Sequence, residues 1–398
     1  MKIHPFSSAG RQHAKDAAAN TFPGPKALDR SLFFLLSGLI MLGISVILSL
    51  CSRRLSGFAQ TYSVTVYAVI KNILGRFSSL FPFSLSEAGI CLLIPVSLAF
   101  FIRNLRRPLK LLSRAFFLAS ALLLSFTLNC GINYYRNPFS YEAGILPEKS
   151  SREELYALCE YLTEQVNESI SQMENRTASE LPADAPEDFP GQTEETPIPS
   201  RNYLKTMGEA GREAMSDLGR LYPQLGGWYP RPKPLFLSRL LSVQQLCGIY
   251  SPFTVEANYN REMPYYNIPH TICHELSHLK GFMREDEANF IGYLACIGSP
   301  SADFRYSGFL TGWVYTGNAL AKVDYEGYCR LHEQLNEKAI SDLNYNNRFW
   351  DRFEGKVAEA SNQLNDQYLK VHSQTDGVQS YGRMVDLMLA YYKEGYSQ

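Results

Sequence analysis

Three stretches of this chain are too apolar and too free of charge to be ordinary surface helices. Leu32–Leu50 runs 19 residues without a charge, Ala115–Tyr135 runs 21, and Ala88–Ile102 runs 15. A helix rises about 1.5 Å per residue, so a hydrocarbon core of about 30 Å takes roughly 20 apolar residues. The first and last runs meet that length. The middle one reaches it when Phe81, Phe83 and Leu85 extend it upstream and Glu87 lies near the interface. The first run starts about thirty residues in and is followed by Ser52, Arg53 and Arg54 rather than a small-residue cleavage site, so a removed leader is not expected.

The loops predict an orientation. Arg103, Arg106, Arg107, Lys110 and Arg114 crowd the connection after the second run. Lys and Arg are retained on the cytoplasmic side, which sends the third span outward. The N-terminal segment, with Lys2, Arg11, Lys15, Lys26 and Arg30, then also lies inside. The residues after about 136 are expected outside the cell. Between the first two spans, Val66, Val69, Ile70, Ile73, Leu74 and Phe77 recur at near-helical spacing. This predicts an amphipathic helix over Tyr62–Phe77, lying along the outer interface or against the spans.

The remainder reads as one soluble domain. Lys and Arg number 38 and Asp and Glu 39, a balance without the basic face that a nucleic-acid partner needs. Ser151-Arg-Glu-Glu154 is a capping signal for a helix to about Met173. Residues 181–200 are rich in Pro, Glu, Asp and Thr and read as a mobile acidic loop. Helices are predicted at Tyr203–Leu221, Tyr306–Ala321, Tyr325–Leu343, Arg348–Lys370 and Tyr381–Tyr392. Pro269–Ile297 reads as helix, break, helix. Short strands are predicted at Leu235–Ser238 and Phe253–Asn258. The eight cysteines include no Cys-x-x-Cys pair, which argues against a cysteine zinc cluster and leaves any disulfide unassigned.

The chemistry concentrates in His274-Glu275-Leu276-Ser277-His278. Histidines four apart on a helix project from one face, one turn apart, and can meet a single zinc ion at about 2.0–2.1 Å. Zinc lowers the pKa of a water to about 7, and the intervening Glu275 is placed to take its proton as it attacks a carbonyl. Gly281 ends this helix, and the next begins with Glu285-Asp-Glu287. A catalytic zinc needs a third protein ligand. On one continuous helix Glu285 would lie about 10 Å from His278 along the axis, so the break is required. Glu285, Asp286 and Glu287 compete for the role. Asn289, one turn after Glu285, is placed to orient a ligand histidine. His270 reads as structural or solvated, and His332-Glu333 as a surface pair.

His274-Glu-Leu-Ser-His278 followed by Glu285-Asp-Glu-Ala-Asn289 resembles the gluzincin pattern, in which the first Glu of the second motif is the third zinc ligand. That resemblance favours Glu285. It also implies a substrate-presenting edge strand, for which Phe253–Asn258 is the candidate with a plain core strand as the alternative, and an oxyanion-steadying group, for which Tyr381 and Arg383 are the candidates with a structural role as the alternative. The gap between the motifs is short, and Asn289 stands where Asp is commoner. More closely, the chain resembles an uncharacterised bacterial membrane family, domain of unknown function 3810. The matching residues are Gly248-Ile-Tyr-Ser-Pro-Phe-Thr254, Glu256-Ala-Asn258, the His274 motif, Arg284–Leu294 and Ser380-Tyr-Gly-Arg383.

Together these imply a mainly α (α+β) zincin-like soluble domain behind three N-terminal transmembrane helices. The expected parts are a cytoplasmic segment (1–30), a membrane domain (31–136) and an extracytoplasmic metallopeptidase domain (137–398). Expected too are a multi-pass protein of the bacterial cell membrane, a peptide or protein substrate, the lipid bilayer as partner, and Zn2+ as cofactor. The competing expectation is a zinc-binding, catalytically silent membrane sensor.

Overall fold

The structure is a computed structural model and describes residues 25–148, 150–175, 198–371 and 383–395. The chain divides into two compact units, 1–48 with 91–125 and 49–90 with 126–398. Most of the acidic loop at 181–200 and the C-terminal Tyr381 lie outside the described residues.

The first unit holds the apolar bodies of three helices, α1 (Pro25–Arg54), α4 (Leu85–Asn104) and α5 (Pro108–Phe126). Within the unit, Phe34 meets Phe117 edge-on at 5.2 Å, and the Arg114 guanidinium lies 4.6 Å over the Phe34 ring. Three helices are long and apolar enough to span a membrane: Arg30–Arg54, Leu85–Asn104 and Pro108–Tyr135. The last includes a π turn and a 3-10 turn that carry α5 on to Tyr135. Large side chains such as Leu92, Ile94 and Leu112 are mostly exposed, a surface suited to lipid rather than water.

The second unit is mainly helical around a small sheet. Two short helices, α2 (Phe58–Val64) and α3 (Val66–Ser78), precede α6 (Phe139–Ala143) and α7 (Arg152–Glu174). Ser151 caps α7 by the reciprocal pattern the sequence predicts, its hydroxyl accepting from Glu154 N while Glu154 accepts from Ser151 N. Then come α8 (Arg201–Leu221), β1 (Lys233–Pro234), α9 (Ser238–Ser242), β2 (Gly248–Ser251) and β3 (Glu256–Tyr259). After these follow α10 (Asn267–Leu279), α11 (Glu285–Ile297), α12 (Ala302–Val323), α13 (Tyr325–Glu333), α14 (Glu337–Asp351), α15 (Lys356–Val371) and α16 (Arg383–Lys393). The core forms where α10 is enclosed by α8, α11, α12, β2 and β3, and every residue from Ile268 to Leu279 is buried.

Several expectations need correcting. Tyr325–Leu343 is two helices, because Asn336 caps a new one by accepting from Lys338 N. The helix predicted from Arg348 begins only at Lys356, after a break that includes Gly355. Leu235–Ser238 is not a strand: Ser238 opens α9, and its hydroxyl bonds back to Leu235 O. Phe253–Asn258 is half turn and half strand, and the strand part lies at the centre of the sheet. The order is β1-β3-β2, with β2 antiparallel and β1 parallel to β3. The edge strands are therefore β1 and β2. Short strands in a helical surround carry too few alternating residues for sequence periodicity to register them.

The 58–78 segment is helical, with its Tyr67 face turned into the second unit. Tyr67 is fully buried, and its hydroxyl donates to Leu279 O at 2.9 Å, at the end of α10. The start of α4 is also tied to the sheet. Glu256 accepts from Leu85 N at 3.0 Å and Ser86 N at 2.9 Å, and it pairs with Lys233. A carboxylate at the first turn of α4 satisfies amides that have no helical partner.

Candidate metal centre

Two local features bring the candidate ligands together. Lys280 closes α10, and Gly281 follows with φ of 94°, a conformation that side chains with a Cβ rarely adopt. The chain then turns back, and α11 starts at Glu285 beside the helix it has just left.

His274 and His278 face each other across 4.6 Å between ring centroids, nearly perpendicular. Glu285 Oε2 lies 3.3 Å from His274 Nε2, and Oε1 lies 3.6 Å from His278 Nε2. Bonds of about 2.0–2.1 Å in a tetrahedral set hold donor atoms about 3.3 Å apart. The three side chains thus present a donor triangle of the size one small cation requires, with all donors within 4.8 Å.

Each imidazole is held from behind. His274 Nδ1 lies 2.8 Å from Asn289 Oδ1, and His278 Nδ1 lies 2.8 Å from Phe282 O. Both partners accept, so each Nδ1 carries the hydrogen and each Nε2 turns a lone pair to the cluster. Asn289 takes the orienting position expected of it. His270 is buried and structural, its Nε2 3.1 Å from Asn289 O.

The carboxylates separate by role. Glu287 is turned away from the cluster and accepts from Ser140 N at 2.9 Å and Ser140 Oγ at 2.8 Å. Asp286 faces Arg383, whose Nε is 3.3 Å from Oδ2. Of the three competitors only Glu285 stands with the imidazoles. Arg383 is thus placed beside α11 through Asp286.

Electrostatics divide the groups in the metal-free protein. Burial pushes Glu275 up to about 8, with the Glu285 charge adding and His274 opposing. Burial lowers His278 to about 4. Burial also disfavours the His274 cation, but the hydrogen bond and charge of Glu285 outweigh it and raise that pKa. Glu285 is held below the usual carboxylate range, because the two histidines outweigh its burial. Glu275 Oε2 is buried without a hydrogen-bond partner among the described residues. A buried carboxylate oxygen left bare is costly unless a donor is brought to it. The donor set and this bare oxygen both fit a bound cation with a water beside it.

The sequence assigned no role beside Glu275 to four neighbours, although two of them, Gly248 and Tyr250, lie in the 248–254 motif. Gly248 on β2 lies against Glu275, and a Cβ there would fall 2.5 Å from Glu275 Oε1. The next residue but one, Tyr250, donates its backbone N–H to the Glu275 carboxylate. Tyr315 on α12 lies within electrostatic reach of Glu285 and Cys247, and burial raises its phenol pKa. Its hydroxyl has no hydrogen bond among the described residues. Nothing local in the sequence distinguishes this tyrosine from the other 24 of its kind. Cys247, pushed up to about 12 by burial and by Glu275, completes that wall. All eight cysteines are free thiols. A cleft of about 430 Å³ elsewhere, between Tyr161, Asp217, Arg305 and Tyr391, shares no residue with the cluster.

The fold and the site define a mainly helical chain with three membrane-length apolar helices and a buried cluster of two histidines and a glutamate. The chain belongs to the family described as protein of unknown function (DUF3810), whose profile matches residues 62–389. No curated protein and no solved structure matches it.

Proposed function

We propose that the protein is a multi-pass membrane zinc peptidase whose zincin-like domain faces the outside of the cell. The observation that carries the reading is the donor triangle of His274, His278 and Glu285 with the bare oxygen of Glu275 beside it. The donor set of two imidazoles and one carboxylate matches that of catalytic zinc sites with one position left for substrate or water. A zinc ion held there supplies Lewis acidity towards a carbonyl and makes a water acidic enough to react near neutral pH. Glu275 takes the proton released on attack and returns it to the leaving amine. The gluzincin resemblance and the short β2 edge beside Glu275 support a peptide as substrate, lying in extended form along Gly248–Ser251. The basic connection from Arg103 to Arg114 supports the outward orientation.

One observation favours a second reading, a zinc-binding sensor without turnover. His274, Glu275 and His278 are only 9%, 4% and 8% exposed, so a substrate needs the wall to move. The test is direct. The full-length protein is purified in detergent, its zinc content is measured, and a diverse peptide library is offered to wild type and Glu275→Gln. Cleavage by wild type alone supports the peptidase. Zinc bound with no cleavage by either supports the sensor, and no zinc in either removes both.

A further inference from the structure

Two loops of the second unit, far from α4 in sequence, grip its first turn. Glu87 in that turn accepts from the backbone N–H groups of Phe236 and Leu237, at 3.1 and 2.6 Å. On the other loop Thr254 Oγ1 lies 3.0 Å from Ser86 Oγ, two residues before Glu256 receives the Leu85 and Ser86 amides. Lys233 ties the end of α3 to the same place, donating to Ser78 O at 2.7 Å while paired with Glu256.

The large apolar side chains on these segments are left uncovered. Phe236, Leu240 and Phe253 are 50%, 56% and 48% exposed, and Leu237 is exposed between them. Leu80 and Phe83, on the turn that leads into α4, are exposed as well. Within α9 the split follows the face of the helix: Ser238, Leu241 and Ser242 are buried and Leu240 is not. Apolar side chains from three separate segments thus cluster beside the first turn of one helix. The backbone that carries them is bonded to that turn, so they cannot withdraw from it. The next residues of α4, Ala88, Gly89 and Ile90, are exposed too, and α4 is long and apolar enough to span a membrane. The patch is therefore continuous with the surface of a membrane-length helix, at the level where that helix begins. Arg261 lies 5.2 Å over the Phe236 ring and donates to Phe236 O at 3.4 Å, which sets a cation at its rim. Apolar side chains backed by a cation suit a bilayer boundary, where the chains enter the acyl region and the charge stays at the headgroups.

We propose that Phe236, Leu237, Leu240 and Phe253 are seated in the lipid interface at the start of α4, so that the second unit holds the bilayer by a patch outside its spans. The strand that ends at this patch is β2. Gly248, which touches Glu275, precedes Ser251 by three residues, or about 10 Å of strand. A lipid seat thus puts the β2 edge and the candidate site close to the membrane surface. The inference rests on the membrane-spanning reading and is independent of peptidase activity.

The test uses the full chain in phosphatidylcholine vesicles, with or without bromine on the acyl chains, and reads the tryptophan emission that each variant adds to wild type. Bromine quenches an indole that meets the acyl region. Phe236→Trp should lose about half of its added emission in brominated lipid, as expected of a side chain roughly 5–10 Å into the boundary. Ile94→Trp, in the body of α4, should be quenched at least as strongly, and Tyr325→Trp, exposed on α13, should not be quenched. Phe253→Trp gives the same reading from the second loop where circular dichroism shows that Phe236→Trp does not fold. Loop emission untouched by bromine while Ile94→Trp is quenched overturns the proposal; if that emission is also blue-shifted, the patch is covered by protein such as a second copy. Equal quenching of Tyr325→Trp overturns it as well, since any exposed aromatic would then meet lipid. Ile94→Trp left unquenched overturns the membrane reading beneath it.

Discussion

Replacing Glu285 with Gln keeps the shape of the side chain and removes its charge. The carboxylate sits 3.3 Å from His274 Nε2 and 3.6 Å from His278 Nε2, and no other acidic group joins them among the described residues. Zinc sites with four protein ligands bind with about 10–16 kcal/mol of apparent free energy, so one ligand contributes roughly 3 kcal/mol. At about 1.4 kcal/mol per factor of ten, the variant should bind zinc roughly a hundredfold more weakly. A second effect works the other way. Glu285 raises the pKa of His274, so its loss lessens proton competition for Nε2 and trims the deficit. The assay is competition against a chromophoric chelator, with metal content confirmed by mass spectrometry. Glu287→Gln is the control. It disturbs the anchor to Ser140, and it should lower stability while leaving zinc affinity within about threefold, well short of the loss of one ligand. Zinc affinity unchanged in Glu285→Gln, or lost equally in Glu287→Gln, would refute the assignment of the donor triangle.

Three further outcomes follow from the geometry. Tyr315→Phe should keep its zinc but lose about a hundredfold in kcat if the free phenol steadies the oxyanion; a change confined to KM would count against that role. Gly248→Ala forces a Cβ within 2.5 Å of Glu275 Oε1 and 2.8 Å of Thr271 Cγ2, and should cost about 1–3 kcal/mol in thermal unfolding; an unchanged Tm would mean the β2 edge stands further from Glu275. The contribution of Glu275 to the stability of the metal-free protein should fall as pH rises from about 4.5 to about 8. The folded-state pKa of Glu275 is raised, so the folded form binds the proton more tightly, and that advantage fades as the unfolded carboxyl ionises. Denaturant titrations should show wild-type stability falling relative to Glu275→Gln across this range, and a constant difference would refute the sign.

The parts of the molecule that were legible beforehand share a local cause. The three apolar runs exceed what any soluble helix of their length carries, and Ser151 with Glu154 makes a cap from residues three apart. The His274–His278 spacing places two rings on one face wherever a helix forms. The turn at Gly281 and the orienting position of Asn289 also depend on neighbours a few residues away. Distant chain decides other features, whereas the Asn336 cap, the break at Gly355 and the helix start at Ser238 are local. For Phe253–Asn258 the sequence leaves an edge and a core strand open, and its strand is central because β1 and β2 pair on both sides of it. The Tyr62–Phe77 segment is helical and meets the end of the third apolar helix through Tyr62 and Leu128 O, and in addition Tyr67 reaches Leu279, more than two hundred residues away.

By itself, the sequence determined the membrane-length helices, the helix–break–helix around the metal motif and the two imidazoles on a common face, because each follows from periodicity and short-range sterics. Spacing alone left Glu285, Asp286 and Glu287 open; the gluzincin resemblance favoured Glu285, and it is tertiary structure that brings this carboxylate to the histidines. Two residues apart on a helix lie about 200° around its axis. Only the angle at which α11 returns past α10, and the Ser140 amide waiting on the far side, decides which carboxylate meets the histidines. Tertiary structure also brought Gly248, Tyr315 and Cys247 to the same wall, since contacts between distant segments leave no trace in local spacing.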